Sequence, residues 1–290
     1  MILNHNTELR VMQTLSKYWY KEFSAYELAN AAKITAPMAY KSINTLLKYN
    51  LLTKKEAKVK INFNTHYAYQ FKLLCDAEKV ALLPEETQQK IAHIQRVLHS
   101  EYQQQLLALL IFGSVASGET TPQSDVDVLA LVTEKKDFDY KKRGLLNLGK
   151  INLIEKNKQE WEKDYLLAHD LVLNALMNGI ILYDQGLIKY FLQKPLPEPS
   201  SEVIMQKKER LDLLKDRLLL LLKDQDYQRL EEEFRQYLIE KARIILLQVG
   251  LIPSSKKNIL TRIKNIHPEI YKLYRDVNQK NIKSLLLKHV

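Results

Sequence analysis

The stretch Ile111–Val128, IFGSVASGETTPQSDVDV, decides how this sequence is read. The apolar run Leu109–Phe112 reads as a buried strand, Gly113 and Ser114 open a helix after it, and a second strand, Val126–Val132, follows a polar loop. Asp125 and Asp127 stand two positions apart, so on a strand both carboxylates point to the same face and can share divalent cations, Mg2+ or Mn2+. Gly113 lets the backbone approach a phosphate with no Cβ in the way. Ser114 adds a hydroxyl, and the helix start adds N–H donors and a partial positive charge. Gly118 is expected to permit close packing beneath.

Gly113-Ser114, ten residues, then Asp125-Val126-Asp127 resembles the pattern of the DNA polymerase beta nucleotidyltransferase superfamily, in its minimal nucleotidyltransferase form. The likeness runs from Leu106 to Gly186. It implies an α+β core with a mixed sheet. Asp125 and Asp127 would be the catalytic, metal-holding acids, and Gly113, Ser114, Gly118 and Ser124 the nucleotide-binding residues. The implied reaction moves a nucleoside monophosphate from a nucleoside triphosphate, ATP foremost, to a hydroxyl of a protein, an RNA or a small molecule. Relatives carry a third carboxylate on a later strand, and the matching position within Ile151–Ile154 is Asn152. An amide oxygen ligates metal weakly and cannot act as a general base. Glu155, the nearest acid, has the opposite strand parity. The alternative function is a catalytically inactive, nucleotide-sensing transcription regulator of the same fold.

Toward the N-terminus, Val11, Leu15 and Tyr18 mark a helix over Thr7–Tyr20. Ser24 with Glu27 forms a capping-box pattern before a second helix, and Thr35 with Pro37 opens a third. That third helix is expected to bury Ile43, Leu46 and Leu47 and to show Met38, Lys41, Ser42, Asn44 and Lys48. The Lys-rich stretch Thr53–Phe63, ending in alternating Val59, Ile61 and Phe63, reads as a hairpin. Three helices and a basic hairpin resemble a winged helix-turn-helix. In that fold the third helix enters the major groove of double-stranded DNA, which nominates Met38, Lys41, Ser42 and Asn44. Lys54, Lys55, Lys58 and Lys60 would meet phosphates. A homodimer is open to it by analogy.

Beyond the core, a polar helix is expected over Pro84–Leu107. Further helices are expected over Phe138–Leu148 and Trp161–Asn178, and strands over Ile151–Ile154 and Ile180–Tyr183. Lys194–Ser201 reads as a linker, and Met205–Asp224, Arg229–Val249 and Lys256–Val277 read as a helical bundle. This bundle resembles the HEPN-like domains that accompany minimal nucleotidyltransferases. Arg262 and His267, with four residues between them, resemble the ribonuclease signature of some such domains, but Ile263 stands where a polar neighbour is usual. The expected organisation is multidomain: 1–75 winged helix-turn-helix, 76–195 nucleotidyltransferase domain with its linker helix, and 196–290 an all-α bundle.

Charge follows that division. The chain carries a net +10, yet residues 1–75 hold 11 Lys or Arg against 4 acids and residues 203–290 hold 19 against 11, while the middle is acidic. Basic ends suit a nucleic acid partner. Cys75 is the only cysteine, which excludes an intrachain disulfide and a thiolate zinc cage and fits a reducing, cytoplasmic setting. The greasiest runs, Leu106–Phe112 and Leu218–Leu222, are too short for a membrane span.

Overall fold

The computed structural model describes residues 6–118, 125–135, 151–252 and 256–289. The chain divides into two compact units, Met1–Glu162 with Asn174–Leu196, and Lys163–Leu173 with Pro197–Val290.

In the first unit, α1 (Asn6–Lys17) buries Val11, Met12 and Leu15. Strand β1 (Phe23–Ser24) leads into α2 (Ala25–Ala32) through a complete capping box. The Ser24 hydroxyl accepts from the Glu27 amide at 3.3 Å, and the Glu27 carboxylate accepts from the Ser24 amide at 2.8 Å. Lys33, left-handed at φ 56°, ends α2. Then α3 (Ala36–Lys48) starts with Pro37 in its first turn, where the missing N–H costs nothing. Strands β2 (Leu52–Lys55) and β3 (Lys58–Ile61) form the hairpin, and β1 pairs with β3 to give a three-stranded antiparallel sheet ordered β1-β3-β2.

The two-residue β1 and α4 (His66–Ala81) were not foreseen from sequence. Helix α4 packs on α1 and on strand β7 (Ile180–Asp184). Its polar groups are matched to that neighbour. The Tyr69 hydroxyl donates to Asp184 Oδ2 at 2.6 Å, and Asp76, fully buried and paired with Lys72, accepts from the Ile181 amide at 3.0 Å. Asp76 thereby satisfies a backbone donor on an edge strand that would otherwise be buried unpaired.

Helix α5 (Glu85–Tyr102) stops short of the expected Leu107, because Leu106 already belongs to β4 (Leu106–Phe112). After β4 come the short α6 (Gly113–Ser117), β5 (Val126–Val132) and β6 (Ile151–Asn157). The sheet order is β6-β5-β4-β7, with β5 and β6 parallel and the other pairs antiparallel, so the sheet is mixed. Ile91, Ile94, Leu98 and Tyr102 of α5 pack with Leu109, Ile111, Val128 and Ala130 on one face. Leu110, Leu129 and Leu131, of the other parity, are equally buried. The expected helix Phe138–Leu148 and the expected site residue Ser124 lie outside the described residues.

The single helix expected over Trp161–Asn178 is two, α7 (Lys158–Leu166) and α8 (Asp170–Asn178). Ala168 turns left-handed at φ 53° between them, and the His169 amide closes back on the Asp164 carbonyl. Helix α9 (Leu187–Leu192) follows β7.

In the second unit, α10 (Ser201–Lys223), α11 (Tyr227–Gln248), α12 (Lys256–Ile266), α13 (Pro268–Asp276) and α14 (Ile282–His289) enclose a core that includes Leu218, Phe234, Leu238, Ile259, Ile263 and Ile282. The helix expected over Lys256–Val277 breaks at His267, since Pro268 lacks the N–H that would continue it. Asp170 pairs with Lys207 on α10 at 3.0 Å and with Arg243 on α11 at 3.1 Å. No described helix is long and apolar enough to cross a membrane.

Candidate active site

The ends of β4 and β5 build the site. Phe112, the last residue of β4, is in register with Asp127, and Asp127 is in register with Asn152 on β6. Asp125 lies just before β5 and is exposed, while Asp127 is half-buried. Asp125 lies near enough for its charge to act on Asp127.

Gly113 has φ +71°, a left-handed conformation that glycine adopts without cost, and a Cβ on it would overlap Asp127 Oδ2. The absent side chain is the space in which the carboxylate lies. Glycine is therefore needed at this place twice, for its backbone angle and for the carboxylate beside it. Ser114 follows in the first turn of α6, where its carbonyl accepts from the Ser117 hydroxyl at 3.1 Å. Gly118 differs from expectation: among the described residues a Cβ there would meet nothing within 4 Å, so they show no close packing at this glycine. Its role is the left-handed cap of α6, at φ +75°, with its N–H directed to the Ser114 and Val115 carbonyls.

The Asp127 carboxylate is held from the other side. Asn152 Nδ2 donates to Asp127 Oδ1 at 3.0 Å, leaving Oδ2 on the Gly113 side. Burial pushes the Asp127 carboxyl above its ordinary range, the Asn152 hydrogen bond pulls it down, and the charge of Asp125 pushes it up again. Two neighbouring carboxylates, one of them desolvated, with one oxygen fixed and the other facing a glycine gap, suit a divalent cation. Among the described residues no cluster of three or more His, Cys, Asp or Glu could hold a metal. Glu155, in register with Ala130, turns to the opposite face, where the Tyr102 hydroxyl of α5 meets it and burial pushes its carboxyl up. It stands apart from Asp127.

The other nominated residues divide. On α3, Met38, Lys41 and Asn44 are exposed, as are Lys54, Lys55, Lys58 and Lys60 on the hairpin. Ser42 is corrected: it is 1% exposed and lies on the buried stripe with Ala39, Ile43 and Leu46. Tyr40, which the sequence reading did not single out, is 60% exposed on α3. In the second unit, Arg262 donates to the Ile252 carbonyl at 3.3 Å, His267 is exposed at the break before α13, and Ile263 is fully buried. His99 is structural, its ring 4.4 Å edge-on from that of Tyr183.

A mixed four-stranded sheet with a glycine-serine turn facing paired acids is the arrangement of a nucleotidyl-transferring centre. Comparison agrees: the model of the nucleotidyltransferase domain family matches residues 92–283, more than half of the chain, and the chain belongs to that family. No curated protein matches the sequence. Among solved structures it is similar to a nucleotidyltransferase-like protein from Exiguobacterium sibiricum 255-15, with 17% identity and a TM-score of 0.39 over 67% of this chain and 71% of that one.

Proposed function

We propose that the chain is a DNA-binding, divalent-metal-dependent nucleotidyltransferase that moves a nucleoside monophosphate, from ATP foremost, onto a hydroxyl of a protein, an RNA or a small molecule. The observation that carries the reading is the fit between Asp127 and the Cβ-free space at Gly113. Asp125 and Asp127 would hold Mg2+ or Mn2+. Bound there, the cation supplies charge neutralisation for the triphosphate and the departing pyrophosphate. Gly113 and Ser114 bring backbone N–H groups and a hydroxyl to the phosphates. Asn152 keeps Oδ1 of Asp127 engaged and Oδ2 lies beside Gly113, where it would meet a bound cation. In the reaction the acceptor oxygen bonds to the α-phosphorus as the bond to pyrophosphate breaks. Asn152 cannot take the acceptor's proton, which would pass to solvent water.

The division into a winged helix-turn-helix at 1–75, a transferase domain at 76–195 and a HEPN-like helical domain at 196–290 belongs to the same proposal. Its support is the helix-helix-helix-hairpin order with a capped α2, and the exposed Met38, Lys41, Asn44, Lys54, Lys55, Lys58 and Lys60. These would meet the major groove and phosphates of double-stranded DNA. Ser42, being buried, is left out of the contact set.

The second reading, a nucleotide sensor without turnover, is favoured by one observation: Asn152 stands opposite Asp127 where relatives carry an acid. Incubation with nucleoside triphosphate and Mg2+ separates the two. A transferase releases pyrophosphate and labels an acceptor, and Asp125→Ala/Asp127→Ala abolishes both. A sensor binds nucleotide and releases none.

A further inference from the structure

Helix α4 has two apolar faces, and the fold uses one. Ala68, Tyr69, Phe71, Lys72 and Asp76 are buried toward α1 and β7. The opposite face runs through Tyr67, Gln70, Leu74, Ala77, Glu78 and Ala81, all exposed and all on one stripe at helical spacing. Tyr67 is 69% exposed and Leu74 64%, and Leu82 directly after the helix is 80% exposed. A solvent-facing stripe is expected to be polar. This one carries a large apolar group at its start, Tyr67, and another at its middle, Leu74, on a helix fixed by Asp76 and Tyr69.

The stripe is complementary to itself. Residues 66–81 have their midpoint beside Leu74. Two copies laid antiparallel about a two-fold axis at Leu74 bring Leu74 against Leu74. In that register Tyr67 lies over Ala81 of the other copy, a large side chain against a small one. Gln70 lies opposite Glu78, an amide donor against a carboxylate acceptor. Each match occurs twice, as an isologous interface requires. No charge is opposed by a like charge.

We propose that this face of α4 is the contact surface of a homodimer, formed by a second copy of the chain through an antiparallel α4 pair centred on Leu74. A stripe one helix wide lies near or below the area of about 1,000 Å² expected of a stable interface, so the dimer is reversible and its population rises with protein concentration. The proposal does not depend on nucleotide transfer, and its test does not read activity.

Sedimentation of the full chain across a concentration series is expected to show a monomer-dimer equilibrium that Leu74→Glu shifts wholly to monomer. Leu74→Cys in a Cys75→Ser background is expected to form a covalent dimer on mild oxidation, whereas Leu213→Cys, on an equally exposed leucine of α10, is not. Gln70→Glu sets like charges opposite Glu78 and weakens the dimer about fivefold, and adding Glu78→Lys restores it. A chain that stays monomeric at every concentration overturns the proposal. So does a dimer indifferent to Leu74→Glu, equal cross-linking through Leu213→Cys, or failure of Glu78→Lys to rescue.

Discussion

Asp127 and Asp170 are both partly withdrawn from water, and the chain treats them in opposite ways. Asp170 receives two cations, Lys207 and Arg243. Burial works against its ionisation, but these partners outweigh burial and hold the carboxyl below its usual range. Asp127 receives an amide from Asn152 and a second carboxylate nearby, and its carboxyl is pushed up. A buried carboxylate without a matching cation costs stability unless something binds it. The difference separates an acid that fastens helices together from one that the proposed function reserves for a ligand.

The sharpest way to break this contrast is to remove the acids at the strand end. Asp125→Ala/Asp127→Ala is expected to reduce nucleotidyl transfer by about 1,000-fold, the scale of losing preorganised electrostatic stabilisation, while the melting temperature stays level or rises. A drop in melting temperature together with retained transfer would invert the assignment.

Asp170→Asn should do the reverse. Leaving Lys207 and Arg243 without their partner is expected to cost on the order of 3 kcal/mol of folding stability, read by denaturant unfolding. Because the folded carboxyl titrates below its unfolded value, its contribution is present above the unfolded value and lost as pH falls through the folded one. The deficit between the parent protein and Asp170→Asn should therefore be widest near neutral pH and close in acid.

Gly113→Ala tests the gap itself. A Cβ at a left-handed position and against Asp127 Oδ2 is expected to cost about 2 kcal/mol of stability and to weaken metal-nucleotide binding. Gly118→Ala, left-handed but open, should lose stability alone.

The smallest expected effect lies at the hairpin. Lys58→Glu should weaken duplex DNA binding and lower the slope of its salt dependence by about 1, and Lys223→Glu on α10 should do neither. Equal effects would remove the hairpin from the DNA surface.

How much of this could be read from sequence depended on how local the controlling interactions were. The opposite parity of Glu155 and the Ser24–Glu27 capping box are set within a few residues, and each is found as expected. Ser42 was misplaced because a small polar side chain fits a buried stripe whose other members, Ala39, Ile43 and Leu46, are apolar. Helix α4 went unread because its buried face carries Lys72 and Asp76, whose partner, the Ile181 amide, is 105 positions away from Asp76. The break at Ala168 has no proline or glycine to announce it. The hydrogen bond from Asn152 to Asp127 follows from parallel pairing of β5 with β6, which composition alone does not fix.

A crystal grown with Mn2+ and a non-hydrolysable nucleoside triphosphate, examined for anomalous scattering, tests the central assignment most directly. The expected result is a metal peak within bonding distance of both Asp125 and Asp127, with the triphosphate lying along Gly113 and Ser114. Metal and nucleotide bound elsewhere on the chain, with those two acids free, would contradict it.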